Sequence, residues 1–152
     1  MDGHWLRSAN KTVAIITLAI TGATAQAGEL DKSIRCLADN LYHEARGEGM
    51  HGMVAVANVV MNRVHDHHFP ANVCAVVYQP KQFSWTNKRS LRRMKVKHTE
   101  EMKLIAKLAI TGLLKDITGD AQFYHASYVK PSWAYYMKRT RIIGKHRFYR
   151  LD

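Results

Sequence analysis

The sequence predicts an α+β fold in which helices come first and a small antiparallel sheet or hairpin lies in the later half. Apolar residues recur at steps of three or four between Leu30 and Val64, which is typical of packed helices. Aromatic residues and short extended segments gather after Gly119, where strands are expected. The length of 152 residues suits one domain with one core of ordinary size.

The first 27 residues differ in character from the rest of the chain. A basic start with Arg7 and Lys11 precedes an apolar run at residues 13–20, and small residues end at Ala27. This pattern predicts an export signal cut after Ala27, leaving a domain at residues 28–152. An uncleaved signal-anchor and the amphipathic start of a cytoplasmic protein are the alternatives.

The interpretation of the two cysteines and of the net charge depends on whether the chain is exported. In an oxidising compartment, Cys36 and Cys74 could form one disulfide, and two buried free thiols are the alternative. The net charge is +11, and +10 remains after the leader is removed. Such a surplus favours a polyanionic partner, either nucleic acid or the acidic surface of a cell envelope.

The first two helices after the leader are predicted from apolar spacing. The first runs from Leu30 to Ala45, with Asp31 or Ser33 as a cap and glycines at its end. The second covers residues 51–65 and has an apolar arc so broad that it is predicted to be central and buried. Its two asparagines, Asn58 and Asn62, indicate either a core hydrogen-bond network or part of a cleft wall.

The later elements are shorter. We expect a third helix at residues 73–77 capped by Asn72, a strand or extended loop at 81–86, and a basic loop at 87–97. Thr99 is predicted to cap a fourth helix that reaches Leu113. After a turn at 116–120 come a strand at 121–125, a short helix starting at Pro131, and a hairpin at 141–149 turning at Gly144-Lys145.

Glu44 is the candidate for chemistry. It lies in the last turn of the first predicted helix, at the edge of the apolar face. Burial disfavours the charged form of a carboxyl group, so Glu44 could hold a proton near neutral pH, as a general acid must. Taken alone, Glu44 and Glu48 could equally be solvated carboxylates at a helix end, one of them paired with Arg46.

Several segments, in order, resemble the SleB/CwlJ cell wall hydrolase family. They are YHEARGE from Tyr42, VAVANVVMNR from Val54, VCAVVYQ from Val73, QFSW from Gln82, FYH from Phe123, PSWA from Pro131 and IGKHRF from Ile143. The resemblance implies a lysozyme-like fold and cleavage of the glycan strand of peptidoglycan. It places the family's catalytic acid at Glu44.

One carboxylate suffices if the enzyme is a lytic transglycosylase, because the sugar's own 6-hydroxyl then attacks and leaves a 1,6-anhydro end. We therefore favour that outcome over muramidase-type hydrolysis, which usually needs a second carboxylate. Glu48 is the candidate second carboxylate, although the glycines are expected to turn it away, and Asp116 and Asp120 lie in a turn. The expected substrate contacts are as follows: Gln82, Ser84, Trp85, Tyr124, His125 and Trp133.

We expect a monomer that uses no cofactor and no metal. Its expected partners are peptidoglycan and an anionic envelope surface, and not nucleic acid. The expected location is the periplasm or cell envelope, including the case of a phage-borne lysin that attacks the host wall. A zinc amidase or peptidase is the rival enzyme, because the chain has nine histidines, but a second His three residues after Glu44 is absent. A basic nucleic-acid-binding protein is the non-enzymatic rival.

Overall fold

A computed structural model describes residues 9–151, with side chains from residue 22 onward. The chain divides into two compact units, residues 1–32 and residues 33–152. The predicted order of helices before strands is confirmed. The elements are α1 (Ala9–Ala45), α2 (Gly49–His65), α3 (Val73–Val77), α4 (Arg89–Arg92), α5 (Glu100–Ile110), β1 (Phe123–Ala126), β2 (Lys138–Ile143) and β3 (His146–Arg150).

Helix α1 is longer than predicted. It does not begin near Leu30 with a cap at Asp31 or Ser33, because the helix already runs from Ala9. The glycines before residue 30 do not end it, since one glycine costs a helix only about 1 kcal/mol. The predicted leader lies partly outside the described residues, so its cleavage stays a prediction. None of the helices among the described residues has the length together with the hydropathy that a membrane span requires.

In the second unit, the apolar face of α1 packs as predicted. Leu37, Ala38 and Leu41 are fully buried, and the helix ends at Ala45 before a turn. Gly49 has a φ of +67°, a conformation that L residues rarely adopt, and there the chain enters α2. The end of α1 is therefore fixed by the same glycine-containing turn that starts the central helix.

Helix α2 is the central helix. It buries nine residues along its length, which confirms the broad apolar arc. Asn58 Oδ1 accepts a hydrogen bond from the Ile117 N–H at 3.1 Å, and Asn62 Nδ2 donates to the Ala121 carbonyl at 3.0 Å. The two asparagines thus tie α2 to the segment before the sheet: Asn58 is a buried network residue, whereas Asn62 also lines a surface cavity.

The disulfide between Cys36 and Cys74 is present and joins α1 to α3. Helix α3 is capped as predicted, because the Asn72 side chain accepts from the Ala75 N–H at 2.9 Å. The prediction of a strand or extended loop at residues 81–86 was wrong. Lys81 has a φ of +66° and the chain folds into a 3₁₀ turn at Ser84–Asn87, so it cannot stay extended.

The basic loop predicted at 87–97 contains one helical turn, α4, where the Lys88 carbonyl accepts from the Arg92 N–H. Thr99 caps α5 as predicted through a bond from the Met102 N–H at 3.2 Å. The helix ends at Ile110 rather than Leu113, because Gly112 takes a φ of +73°. A short 3₁₀ helix at Ser132–Tyr135 confirms the helix expected after Pro131.

The sheet is antiparallel, with strand order β1-β3-β2 and a hairpin turn at Gly144-Lys145. Tyr124 pairs with Phe148, and His125 pairs with Arg147. Because successive side chains alternate across a sheet, these two pairs lie on opposite faces. Phe148 packs with Ala55 of α2, so we call the face of Tyr124 and Phe148 the helix-side face and the face of His125 and Arg147 the opposite face.

Candidate active site

Glu44 lies one residue before the end of α1 and is half-buried. Its Oε2 atom accepts a hydrogen bond from the Tyr124 hydroxyl at 2.9 Å. Tyr124 reaches it from the helix-side face of β1, eighty residues away in sequence. This bond joins the end of the first helix to the sheet and fixes the orientation of the carboxyl group.

The surroundings of Glu44 act on its proton affinity in opposite directions. Burial raises the pKa of Glu44 above its ordinary value, and this is the largest effect. The Tyr124 hydrogen bond and the positive charge of Arg63 lower the pKa, but burial outweighs them. Glu44 therefore keeps its proton to a higher pH than an exposed glutamate does, while its charged form still has two stabilising neighbours.

Arg63 is the cation that acts on this carboxyl group, and it was not among the predicted site residues. Its side chain is only 3% exposed and its Nε donates to the Gln122 carbonyl at 2.7 Å. Its guanidinium lies 5.2–5.7 Å from the ring centres of Phe69, Phe83 and Phe123. Burial lowers the pKa of Arg63 to about 10, which still leaves it charged at neutral pH.

A signal for Arg63 was present in the sequence. Arg63 lies three residues after Val60 and four after Val59, so helical spacing places it on the buried face of α2. A solvated arginine is not expected at such a position. A charged residue on such a face must have compensating partners. The pattern of an arginine within an apolar face could thus have identified it.

His146, one of the nine histidines behind the zinc hypothesis, lies beside the tyrosine that holds Glu44. It is 8% exposed, and its ring packs edge-on against Tyr124 at 5.1 Å between ring centres. Burial lowers the pKa of His146, while the nearby charge of Glu48 raises it. Its ring therefore adds an apolar wall behind the tyrosine that holds Glu44.

The proposed second carboxylate is engaged elsewhere. Glu48 Oε2 accepts a hydrogen bond from the Lys145 N–H at 2.9 Å, in the hairpin turn. Asp116 accepts from the Thr118 N–H, the Thr118 hydroxyl and the Asp120 N–H, so it organises its own turn. Both carboxylates have structural partners in place.

The segment that contains Gln82, Ser84 and Trp85 lies beside the end of α1. His43, next to Glu44, stacks on the Trp85 ring at 4.3 Å with an angle of 17° between the planes. Trp85 is 3% exposed and its Nε1 donates to Asn40 Oδ1 at 3.0 Å. Trp85 thus packs in the core and supports His43, instead of offering an open ring face to a sugar, whereas Ser84 is exposed and Gln82 is half-buried.

The predicted substrate contacts on the sheet are divided between its two faces. Tyr124 meets Glu44, but His125 stacks on Tyr149 at 5.2 Å and packs edge-on against Trp133 at 5.6 Å on the opposite face. The His125 Nε2 atom lies 3.0 Å from the Tyr149 hydroxyl. His125 and Trp133 therefore belong to a separate aromatic cluster, which the prediction of one joint set did not anticipate.

Of the histidines behind the zinc hypothesis, only two in the part of the chain that the structure describes join a group of potential metal ligands. Asp66, His67 and His68, at the end of α2, bring potential ligand atoms within 4.8 Å of one another. His67 and His68 are exposed, and Asp66 already accepts from the His68 N–H at 2.8 Å and from Gln122 Nε2. Three consecutive residues of this kind are common on surfaces, so they identify no catalytic centre.

Known proteins resemble this chain in both sequence and structure. The family model described as Cell Wall Hydrolase matches residues 47–149. A spore cortex-lytic enzyme of Halalkalibacterium halodurans is 32% identical over 123 residues, which are 80% of this chain and 36% of that protein. One of Bacillus cereus is 31% identical over 128 residues, or 84% of this chain and 48% of that protein. The chain thus spans less than half the length of these relatives.

Two solved structures share the fold. The catalytic domain of the Bacillus cereus SleB protein superposes with a TM-score of 0.68 at 31% identity, covering 79% of this chain and 91% of that domain. The catalytic domain of the germination-specific lytic transglycosylase SleB from Bacillus anthracis gives a TM-score of 0.67 at 32% identity, covering 78% and 93%. These similarities confirm the predicted α+β, lysozyme-like fold.

Proposed function

The chain belongs to the SleB/CwlJ-type cell wall hydrolase family, and from this membership we propose that it cleaves the glycan strand of peptidoglycan with Glu44 as the single general acid and base. The observation that carries the proposal is the half-buried Glu44, whose pKa is raised and whose Oε2 is held by Tyr124. The family match begins three residues after Glu44, so the role of Glu44 rests on this geometry and on the YHEARGE resemblance.

The first step is proton delivery. Because Oε2 accepts from Tyr124, the proton of the neutral Glu44 is assigned to Oε1, the oxygen left to act on a bound glycan. Transfer of that proton to the glycosidic oxygen breaks the bond between this oxygen and the anomeric carbon. Glu44 is left as a carboxylate, and the Tyr124 hydroxyl and the Arg63 charge stabilise it.

The second step returns the proton. The 6-hydroxyl of the sugar whose anomeric carbon has lost its substituent attacks that carbon, and its proton passes to the Glu44 carboxylate. The product carries a 1,6-anhydro ring, and the enzyme returns to its starting state. The hydrogen bond that Glu48 accepts from the hairpin turn supports this scheme over hydrolysis. Hydrolysis usually needs a second carboxylate to activate a water molecule, and Glu48 is already engaged by the Lys145 N–H.

We also propose that the protein works outside the cytoplasm, in the periplasm or cell envelope, after export through its first 27 residues. The Cys36–Cys74 disulfide supports this location, because such bonds persist in oxidising compartments. The net charge of +11 suits the acidic surface of an envelope. Action as a monomer without a cofactor remains part of the same proposal.

Product analysis tests the function. Purified peptidoglycan is incubated with the protein, and the soluble fragments are analysed by mass spectrometry. We expect glycan fragments with 1,6-anhydro ends, each lighter by one water than the corresponding reducing end. Reducing ends would replace transglycosylation with muramidase-type hydrolysis, and release of free peptides without glycan cleavage would contradict the proposal.

A further inference from the structure

The opposite face of the sheet has a cavity that does not include Glu44. It has a volume of about 310 Å³ and lies between β2, β3 and the segment around the 3₁₀ helix Ser132–Tyr135. Because β1 alternates, Tyr124 and His125 direct their side chains to opposite faces, so this cavity and the Glu44 carboxyl group lie on different sides of the sheet.

The cavity is strongly basic. Lys130, Arg139 and Arg147 line it, and the lining residues that the structure describes include no aspartate or glutamate. The positive charges of these three side chains favour an anionic ligand.

Aromatic rings complete the walls. Tyr149 and His125 stack on each other at the base, and Tyr135 stands at the rim with 79% of its surface exposed. Rings next to polar groups suit a ligand that has both an apolar face and hydrogen-bonding groups, such as a pyranose. The volume is near the lower limit for small-molecule sites, about 300 Å³, which suits one sugar residue rather than a long strand.

A bulge in β2 determines which arginines reach the cavity. Arg139 pairs with Tyr149 and Arg141 pairs with Phe148, with a register shift between them. Arg139 therefore belongs to the cavity face and Arg141 to the helix-side face, although both are exposed arginines on one strand. The chain thus offers a matched pair for testing this site.

We propose that this cavity binds an amino sugar that carries a carboxylate, as a secondary site for the wall polymer apart from the point of cleavage. The choice of an amino sugar rests on the proposed function, whereas the need for an anion rests on the three cations and on the lack of a carboxylate among the described lining residues. The carboxylate can come from the lactyl group of the sugar or from an attached peptide.

The test measures binding of small, uncleavable probes to the full-length chain by NMR chemical-shift titration. The probes are N-acetylmuramic acid, N-acetylmuramoyl-alanyl-isoglutamine and the neutral N-acetylglucosamine. We expect at least one of the two carboxylate probes to bind about tenfold or more tightly than N-acetylglucosamine, with shifts at residues 130–149. The stronger of the two identifies the source of the carboxylate.

Two variants assign the binding to the cavity. We expect Arg139→Gln to weaken binding of the carboxylate probe about tenfold, which corresponds to the loss of one charge-assisted hydrogen bond. Arg141→Gln should leave the affinity for this probe unchanged. The proposal would be overturned if N-acetylglucosamine bound as tightly as the carboxylate probes, or if neither carboxylate probe bound. It would also be overturned if the two substitutions changed the affinity equally. None of these probes contains a glycosidic bond between amino sugars, so failure here is distinguishable from failure to cleave peptidoglycan.

Discussion

The substitution Tyr124→Phe tests how the site sets the acidity of Glu44. It removes the hydroxyl that donates to Glu44 Oε2 at 2.9 Å and leaves the ring in place against His146. A hydrogen bond to a charged group contributes about 1.5–3 kcal/mol, and one pKa unit corresponds to about 1.4 kcal/mol. The carboxylate loses this stabilisation, so the pKa of Glu44 should rise further.

The sign of the effect on activity follows from the role of the acid. Because the first step needs protonated Glu44, activity falls as the pH rises through the pKa of Glu44. This fall is the alkaline limb of the pH–activity profile. In Tyr124→Phe the alkaline limb should move to higher pH by about one to two units. The assay is the initial rate at which purified peptidoglycan suspensions clear, measured across the pH range for both proteins.

Tyr78→Phe is the matched control. The Tyr78 hydroxyl also donates to a carboxylate of α1, Asp39 Oδ2, at 3.1 Å, but it does not contact Glu44. We expect its alkaline limb to coincide with that of the unchanged protein. A limb in Tyr124→Phe that stays in place or moves to lower pH would refute the reasoning about how Glu44 is held.

Three further predictions concern stability. Burial raises the pKa of folded Glu44, so the folded state holds its proton more tightly than the unfolded state and loses stability as the pH rises through that pKa. The free energy of unfolding of Glu44→Gln, measured by denaturant titration, should therefore increase relative to that of the unchanged protein as the pH rises through this pKa. A difference between the two proteins that does not change with pH would contradict this. Replacing Cys36 and Cys74 by Ser should cost about 4 kcal/mol for a cross-link spanning 38 residues, and a loss below about 1 kcal/mol would contradict this. Glu48→Ala should cost about 0.5–1.5 kcal/mol by removing the acceptor for the exposed Lys145 N–H, whereas Glu48→Gln, which keeps an oxygen acceptor, should cost less.

The sequence was informative where one local signal determines the structure. The apolar spacing predicted α2 and the buried face of α1, and Asn72 and Thr99 cap their helices as their side chains predicted. The hairpin turn at Gly144 was also predictable, because glycine adopts the φ of +56° found there without strain.

Other features depend on contacts between distant residues. Phe83 and Trp85 alternate as they would in a strand, but both are buried from a 3₁₀ turn, because the positive φ at Lys81 reverses the chain. Alternation along a predicted strand implies that Tyr124 and His125 serve different faces of the sheet, but it does not show what each face meets. Tyr124 holds Glu44 and His125 lines the basic cavity only because the β1–β3 register brings each to its own partners.

The central claim is that the carboxyl group of Glu44 supplies the proton for glycan cleavage. The most direct measurement compares muropeptide release from purified peptidoglycan by the unchanged protein, Glu44→Gln and Glu48→Gln, after circular dichroism has established that all three are folded. The same chemical change is then made at two glutamates four residues apart, one held by Tyr124 and one held by the hairpin. We predict that Glu44→Gln releases no anhydro-ended fragments while Glu48→Gln still does. Full release by folded Glu44→Gln would contradict the account.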